Sequence, residues 1–352
     1  MIKQKRIEEY GINIGRLPKG KRNKITDVPG VTVGHLTLDD GDIKTGITAI
    51  MPISQNIFSN KCIAAAHVIN GYGKTIGLVQ IEELGMLESP ILLTNTLCAS
   101  RVADALVSYT LERCESEGVS CLSFNPVVGE CNDSYLNAID KRVITHEHVF
   151  EAIARADVDF LEGDIGAGKG MSCHNLKGGI GSASRMLQLS EGTYTLGALI
   201  LANYGSLADL TIDGEKVGQT IKEEISNRTE VDKGSIIIVL ATDLPLSDRQ
   251  LKRVCKRAVV GMARVGSYIG HGSGDVVIGF TTHPMTVSEH SENRVVHHVA
   301  QLEEELLETV FRAAAEATEE SILNALMTAN ETTGVHGHTR YALKDFWPKQ
   351  EV

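Results

Sequence analysis

The chain has 352 residues, of which 42% are hydrophobic and 22% are charged, a composition typical of globular proteins with a sizeable core in one domain or two. Its net charge of −11 is spread along the sequence and provides no basic surface, so neither nucleic acid nor an anionic membrane is expected as a partner. No apolar run approaches the ~20 residues that a membrane span requires.

The seven cysteines are odd in number, form no Cys-x-x-Cys pair, and in several cases lie in apolar runs. This usage predicts core packing in a reducing compartment, and it argues against a disulfide framework or a zinc site. The N-terminus is basic, but no apolar signal segment follows it. We therefore predict a cytoplasmic protein.

Hydrophobic patterns predict strands and helices in alternation along the chain. Residues 1–23 are polar and basic and predict an arm that packs late in folding or against a partner. Strands are predicted within residues 45–52, 90–95, 194–203 and 276–280, those at 90–95 and 194–203 being buried, and residues 124–133 predict a strand that runs into a polar loop. Helices are predicted over residues 100–116 and 145–154, the second with Thr145 as N-cap and His148 at the capping-box position.

The last third of the chain predicts two further helical regions. Ser247 as N-cap and Gln250 as its capping-box partner begin a helix whose apolar face continues to Met262 and which Gly266 ends. Residues 298–329 predict one long helix or two. Because the strands and helices show no regular βαβ rhythm, a layered α/β architecture is favoured over a barrel.

One junction, Gly234-Ser235, follows a polar stretch of mixed charge and opens a β-branched run that ends at Thr242. The Ser235 hydroxyl could attack the carbonyl of Gly234 and release a chain that begins at Ser235. That serine would then carry a nucleophile together with its own α-amine, whose unperturbed pKa near ~8 suits a general base. The alternative is a loop-to-strand junction with a small residue at the turn.

Other residues admit two interpretations each. Asn203 ends a buried strand, where its amide could donate to an oxyanion or cap a turn. Glu130 could hold a cationic substrate group or be solvated. Ser273 and Asp275 lie in a Gly-Ser-Gly-Asp sequence that could present a hydroxyl and a carboxylate or form a hairpin turn.

The glycine-rich stretch at residues 163–170 approaches the phosphate-binding pattern G-x-x-x-x-G-K-[S/T], but Gly170 replaces the hydroxyl residue that would hold Mg²⁺. A close-packed loop beside a substrate cleft is the other interpretation. The twelve histidines show no strong metal-ligand spacing with acidic residues or cysteines, so no metal site and no cofactor are predicted.

Taken together, these segments resemble the L-aminopeptidase/D-amidase-esterases and β-peptidyl aminopeptidases, a family of self-processing serine hydrolases. The resemblance covers nearly the whole chain. Its specific pieces are Gly234-Ser235-Ile236-Ile237-Ile238-Val239, Lys177-Gly178-Gly179-Ile180-Gly181 and Gly270-His271-Gly272-Ser273-Gly274.

The resemblance implies an α/β fold, a four-layer αββα sandwich layered like N-terminal-nucleophile hydrolases but differently connected. It implies one catalytic domain spanning residues 1–352, cut into residues 1–234 and 235–352 and assembled as a homo-oligomer, a tetramer of processed heterodimers. Ser235 would be the nucleophile, Ser273 and Asp275 would orient and tune it, Asn203 would donate to the oxyanion, and Glu130 would bind the substrate amine.

The sequence departs from the family pattern at two positions. Asp275 stands where glutamate is usual, which shortens the carboxylate by one methylene. Asn132 stands where a tyrosine is often found, so a phenol hydrogen bond is lost or is supplied elsewhere, by Tyr135. The predicted substrate-binding residues are Glu130, Asn132 and Tyr135.

Three functions follow, in order of preference. The first is an autoproteolytically activated serine aminopeptidase that hydrolyses amide or ester bonds next to a free N-terminal amine in small peptides or aminoacyl compounds, D- and β-aminoacyl groups included. The second is a self-cleaving acyltransferase similar to the ornithine acetyltransferases, which use threonine as nucleophile, so Ser235 counts against it. The third is a nucleotide-binding module built on residues 163–170.

Overall fold

The computed structural model describes residues 4–225, 234–283, 288–289 and 299–347. Its strands are β1 (Thr32–Asp40), β2 (Ile43–Met51), β3 (Asn60–Gly71), β4 (Met86–Leu87), β5 (Ile91–Asn95), β6 (Val127–Cys131), β7 (Ser172–Cys173), β8 (Leu176–Lys177), β9 (Gly179–Leu189), β10 (Gly192–Asn203), β11 (Ser235–Thr242), β12 (Gly274–Thr281), β13 (Ser288–Glu289), β14 (Thr332–Thr333) and β15 (Thr339–Arg340). Its α-helices are α1 (Leu78–Leu84), α2 (Ala99–Ser116), α3 (His146–Ala154), α4 (Val217–Glu224), α5 (Asp248–Cys255), α6 (Ala258–Arg264) and α7 (Leu307–Thr328).

Two sheets carry the architecture. The smaller has the order β1-β2-β5-β6, and the larger has the order β13-β3-β12-β11-β10-β9, with β4 paired to β3. In the larger sheet β11 and β12 run parallel, whereas β10 and β3 run antiparallel to their neighbours. The short hairpins β7–β8 and β14–β15 lie outside both sheets.

Three hydrophobic clusters show how the layers stack. One cluster joins side chains of the smaller sheet to α2 and α3. A second joins the facing sides of the two sheets, and a third joins the larger sheet to α5, α6 and α7. The order of layers is therefore helix, sheet, sheet, helix, which confirms the predicted αββα sandwich.

Strand β11 shows why the sequence folds in this way. Ile236, Ile238 and Leu240 belong to the cluster that faces the helices. Ile237 and Val239 belong to the cluster between the two sheets. Since successive side chains point to opposite faces, a strand covered on both sides is apolar at every position, as the sequence predicted here.

The structure differs from the sequence-based expectation at strand β9 and in the last two helical regions. Strand β9 was not predicted, because its glycines resemble loop residues; a Cβ at Gly181 would lie 1.9 Å from the Ser321 carbonyl oxygen of α7, so this glycine lets helix and strand approach closely. The helix predicted from Ser247 to Met262 is two helices, α5 and α6, both of which pack against α7. Helix α7 begins at Leu307, and His298 lies outside the described residues.

The N-terminal arm packs against its own chain. Ile7 and Ile14 are buried in the same cluster as α7. Arg185, on β9, is fully buried and pairs with Glu316 at 3.1 Å and Glu320 at 2.7 Å. This network anchors the arm through an Arg185 contact of 2.8 Å to the carbonyl of Ile14.

Candidate active site

Ser235 is the first residue of β11, at the centre of the larger sheet, and its side chain is almost buried. Its Oγ accepts a hydrogen bond from the backbone N–H of Gly274 at 3.1 Å. The preceding residue must be glycine, because a Cβ at Gly234 would lie 1.8 Å from the carbonyl oxygen of Asn203. The predicted cleavage junction therefore lies where the strand begins and where backbone packs on backbone.

Ser273 and Asp275 lie beside Ser235. Strand β12 starts at Gly274, which pairs with Ser235 in parallel register. The buried Ser273 Oγ donates to Asp275 Oδ1 at 2.5 Å, so the shorter carboxylate reaches this serine. The alternative prediction of a hairpin turn at this sequence is wrong. Strand β12 pairs with β11 in parallel and with β3, and residues 266–273 form no strand.

Asn203 lies on the other side of Ser235. It ends β10 and is the antiparallel partner of Ser235. Its Oδ1 accepts from the Ser172 N–H at 2.9 Å, and its Nδ2 donates to the Asn132 carbonyl at 2.9 Å. These two bonds fix the orientation of the amide. Because an amide nitrogen carries two hydrogens, the second can serve an oxyanion formed at Ser235.

Glu130, on β6, is buried behind the backbone that faces Gly274. Its Oε1 accepts from the Lys74 N–H at 2.7 Å and its Oε2 accepts from the Thr96 hydroxyl. A Cβ at Gly73 would lie 3.3 Å from Glu130 Oε1 and 3.7 Å from Gly274 Cα. The backbone of Gly73 therefore lies between Glu130 and Gly274, which is the strand partner of Ser235. Glu130 does not line the cleft described next.

A cleft of about 1190 Å³ opens beside Gly234. Its walls include two of the three predicted substrate-binding residues, Asn132 and Tyr135, together with Asn203. The Tyr135 ring is stacked on His338 at 4.5 Å between centroids and lies 3.5 Å from the Arg340 guanidinium carbon. The full lining is Tyr72, Asn132, Ser134, Tyr135, Ser172, Asn175, Asn203, Tyr204, Gly205, Gly234, Tyr268, Gly270, His271, Gly272, His338 and Arg340.

Several residues at this site had no signal in the sequence. Ser172 orients Asn203, Thr96 contacts Glu130, and Arg340 contacts both Tyr135 and Ser172. Each lies in a short segment far along the chain from the strand it supports, so no local pattern identifies it.

Two buried ionisable groups lie behind the cleft wall. Burial raises the pKa of Asp133 to about 7, and burial lowers the pKa of Lys177 to about 7. Lys177 Nζ donates to the carbonyls of Gly168, Met171 and Gly178 at 2.7–2.9 Å. The lysine thus ties the glycine-rich loop to the start of β9, where it supports the β10 end that carries Asn203.

The loop at residues 163–170 is filled by packing. A Cβ at Gly170 would lie 2.1 Å from the Lys44 carbonyl oxygen, and one at Gly168 would lie 2.6 Å from the Gly163 carbonyl oxygen. Lys169 pairs with Asp39 at 2.7 Å and with Asp164 at 3.2 Å. These contacts favour the close-packed loop over a phosphate-binding one.

The described residues include neither a candidate metal site nor a helix that could span a membrane. They contain no group of three or more histidine, cysteine, aspartate or glutamate side chains that could hold a metal ion. Within the same ranges, no helix combines the length and apolarity needed to traverse a lipid bilayer.

Comparison with known proteins gives concordant matches. The family model "Peptidase family S58" matches residues 23–340. A β-peptidyl aminopeptidase from Sphingosinicella microcystinivorans is 35% identical over 95% of this chain and 88% of its own length. A solved structure from Pyrococcus horikoshii OT3 is 47% identical with a TM-score of 0.91, covering 97% of this chain and 98% of that one.

A third match is the L-aminopeptidase D-Ala-esterase/amidase of Ochrobactrum anthropi, described as a prototype serine aminopeptidase with a variant Ntn-hydrolase fold. It is 32% identical with a TM-score of 0.88, and the match covers 96% of this chain and 95% of that one.

Proposed function

We propose that this chain, which belongs to peptidase family S58 and is an aminopeptidase of that family, cuts itself between Gly234 and Ser235 and then uses Ser235 as its nucleophile. The substrates would be amides or esters next to a free N-terminal amine. The observation that supports this most is the position of Ser235, which opens the central strand with Gly274 on one side and Asn203 on the other.

Self-cleavage would proceed by an acyl shift. The Ser235 Oγ adds to the carbonyl carbon of Gly234, and its proton passes to the backbone nitrogen of Ser235. The C–N bond between the two residues then breaks, so the acyl group moves from nitrogen to oxygen. Water then hydrolyses the ester, leaving a carboxylate on Gly234 and a free amine on Ser235. The small size of Gly234 supports this step, because no side chain shields its carbonyl carbon.

Hydrolysis of a substrate would use both the α-amine and the hydroxyl of Ser235 at the new N-terminus. The α-amine of Ser235, with an unperturbed pKa near ~8, takes the proton of its own Oγ as that oxygen attacks the substrate carbonyl. Asn203 Nδ2 donates to the oxyanion, and the proton passes to the leaving amine or alcohol. Water then releases the acyl group from Ser235. The Ser273–Asp275 pair would orient and tune the α-amine.

Recognition of the substrate amine is assigned to Glu130. Its carboxylate lies one backbone layer from Gly274, and a displacement of the residue 72–74 segment would open it to an ammonium group. Asn132 and Tyr135 would contact the remainder of the substrate along the cleft. The named activities of the relatives make β-aminoacyl, L-aminoacyl and D-alanyl compounds the first substrates to assay.

We further propose that the processed halves assemble into a tetramer of heterodimers in the cytoplasm, with no nucleic acid partner. The lack of any disulfide among the seven cysteines, all of which lie in the described ranges, supports a reducing compartment. The net charge of −11 argues against nucleic acid.

The test is a denaturing gel with mass spectrometry of the purified protein, alongside hydrolysis of aminoacyl anilides without any acyl acceptor. Wild type should give fragments of residues 1–234 and 235–352, and Ser235→Ala should remain one inactive chain. Ser206→Ala is a matched control, because Ser206 also follows a glycine near the cleft and is 8% exposed; it should be processed normally. A full-length wild-type band that hydrolyses anilides would refute self-cleavage, and product formed only with an acceptor would indicate acyl transfer.

A further inference from the structure

The geometry points to a carboxylate-binding subsite at Arg340, which would make short peptides with a free C-terminus the preferred substrates. This inference rests on the proposed function and specifies its substrate class. Arg340 is 5% exposed and lines the cleft. Among the described residues that form the cleft wall, it is the only one with a permanent charge.

The order of strands gives the direction of the substrate. Ser235 opens the middle strand of three, with Gly274 of β12 on one side and Asn203 of β10 on the other. Glu130 lies on the Gly274 side, through Gly73. Arg340 lies on the Asn203 side. A substrate laid across the three strand ends therefore has its amine towards Glu130, its scissile carbonyl at Ser235, and its leaving group towards Arg340.

Hydrogen bonds connect Arg340 to the proposed oxyanion donor. Its Nε donates to Ser172 Oγ at 3.1 Å, and the Ser172 N–H donates to Asn203 Oδ1 at 2.9 Å. Neighbouring strands are about 4.8 Å apart, and each extended residue spans roughly 3.3–3.6 Å. The guanidinium is therefore within reach of a carboxylate one or two residues after the scissile bond, as in a dipeptide or tripeptide.

The side chain is suited to this role. The Arg340 guanidinium lies on the face of Tyr135, with 3.5 Å between its central carbon and the ring centroid, and His338 is stacked on the same tyrosine. Such stacking holds the planar group in one orientation. A guanidinium remains charged at any pH the protein tolerates, and its fork matches a carboxylate in a bidentate manner.

The experiment compares two pairs of substrates that differ only at the C-terminus: alanyl-alanine and its amide, and β-alanyl-alanine and its amide. Wild type should show a kcat/KM for the acid that exceeds that for the amide by roughly tenfold to a hundredfold, as expected for a hydrogen-bonded charge pair. Arg340→Gln should bring this ratio close to one. The control Arg155→Gln, which changes an exposed arginine directly after the end of α3, should keep the wild-type ratio.

Two results would overturn the carboxylate subsite. One is equal hydrolysis of acid and amide by wild type, and the other is an acid-to-amide ratio that Arg340→Gln leaves unchanged. Either result leaves the proposed aminopeptidase reaction standing. Failure to hydrolyse any of the four compounds would overturn both the subsite and the proposed aminopeptidase reaction. If circular dichroism shows that Arg340→Gln is unfolded, Arg340→Lys is the second variant: it keeps the charge without the planar fork, and an intermediate ratio supports the subsite whereas an unchanged one opposes it.

Discussion

Replacement of Asn203 by alanine distinguishes its proposed role as oxyanion donor from its contribution to stability. The substitution removes the amide that would donate to the oxyanion at Ser235. It also leaves the Ser172 N–H and the Asn132 carbonyl without the partners they have at 2.9 Å. The variant should therefore lose both catalytic rate and stability, by different amounts.

The expected magnitudes follow from these contacts. Loss of one oxyanion donor typically lowers kcat by ~10²–10³. A buried backbone group left without its hydrogen-bond partner costs about 1–3 kcal/mol, so the two groups together predict a fall of several kcal/mol at most in the free energy of unfolding. The same donor would serve the oxyanion of the self-cleavage step, so processing should slow as well.

Asn95 provides a matched control. It ends β5 as Asn203 ends β10, and it is buried. Its Oδ1 accepts from the Cys98 N–H at 3.0 Å and its Nδ2 donates to Thr45 Oγ1 at 2.8 Å. Asn95→Ala should therefore cost similar stability, while the kcat of the correctly folded enzyme stays near the wild-type value.

The assay measures the rate of processing on gels and kcat per mole of chain that begins at Ser235, together with urea unfolding of all three proteins. The role of Asn203 as oxyanion donor is refuted if processed Asn203→Ala keeps kcat within about tenfold of wild type, since oxyanion donors contribute more than that. It is also refuted if Asn95→Ala, while folded, loses kcat to the same degree.

Three further outcomes are expected. Asp275→Asn should lower kcat roughly tenfold to a hundredfold, because Ser273 would then donate to a neutral amide; an unchanged kcat would remove the carboxylate from the mechanism. Burial lowers the pKa of His35 to about 4, so the folded state binds fewer protons than the unfolded state. The free energy of unfolding should therefore fall by about 3 kcal/mol as the pH drops from about 6.5 to about 4. In urea melts of His35→Asn, the free energy of unfolding should depend less on pH. Gly181→Ala should destabilise the protein by about 1–3 kcal/mol in the same melts, because its Cβ would collide with α7, and a neutral effect would mean that the helix shifts freely.

Much of the fold could be predicted because its signals are local. The apolar run of β11 and the capping box of Ser247 and Gln250 are patterns of neighbouring residues, and both occur in the structure. Strand β9 was not predicted, because its glycines serve a contact with α7 that is distant in sequence. Helices α5 and α6 both pack against α7, which is likewise distant in sequence, and no local pattern indicates the break between them.

The candidate site likewise contains residues that local patterns identified and supporting residues that they did not. Ser235, Asn203 and Asp275 stand at strand ends, where polar residues interrupt apolar runs, and the structure brings them together. Their supporting contacts come from Ser172 and Arg340, in two-residue strands that show no periodicity. Partners of this kind are found only when the chain is folded, since their positions depend on how remote segments meet.

The arrangement of strands in the larger sheet bears on what a cut at Gly234 would do to the molecule. Strands β11 and β12 come after that bond, yet they lie between β3 and β10, which come before it. A nicked protein would therefore keep its ladder of backbone hydrogen bonds on both sides of the new terminus. The two products would be interleaved and inseparable without denaturation, and the larger sheet would be complete in neither of them alone.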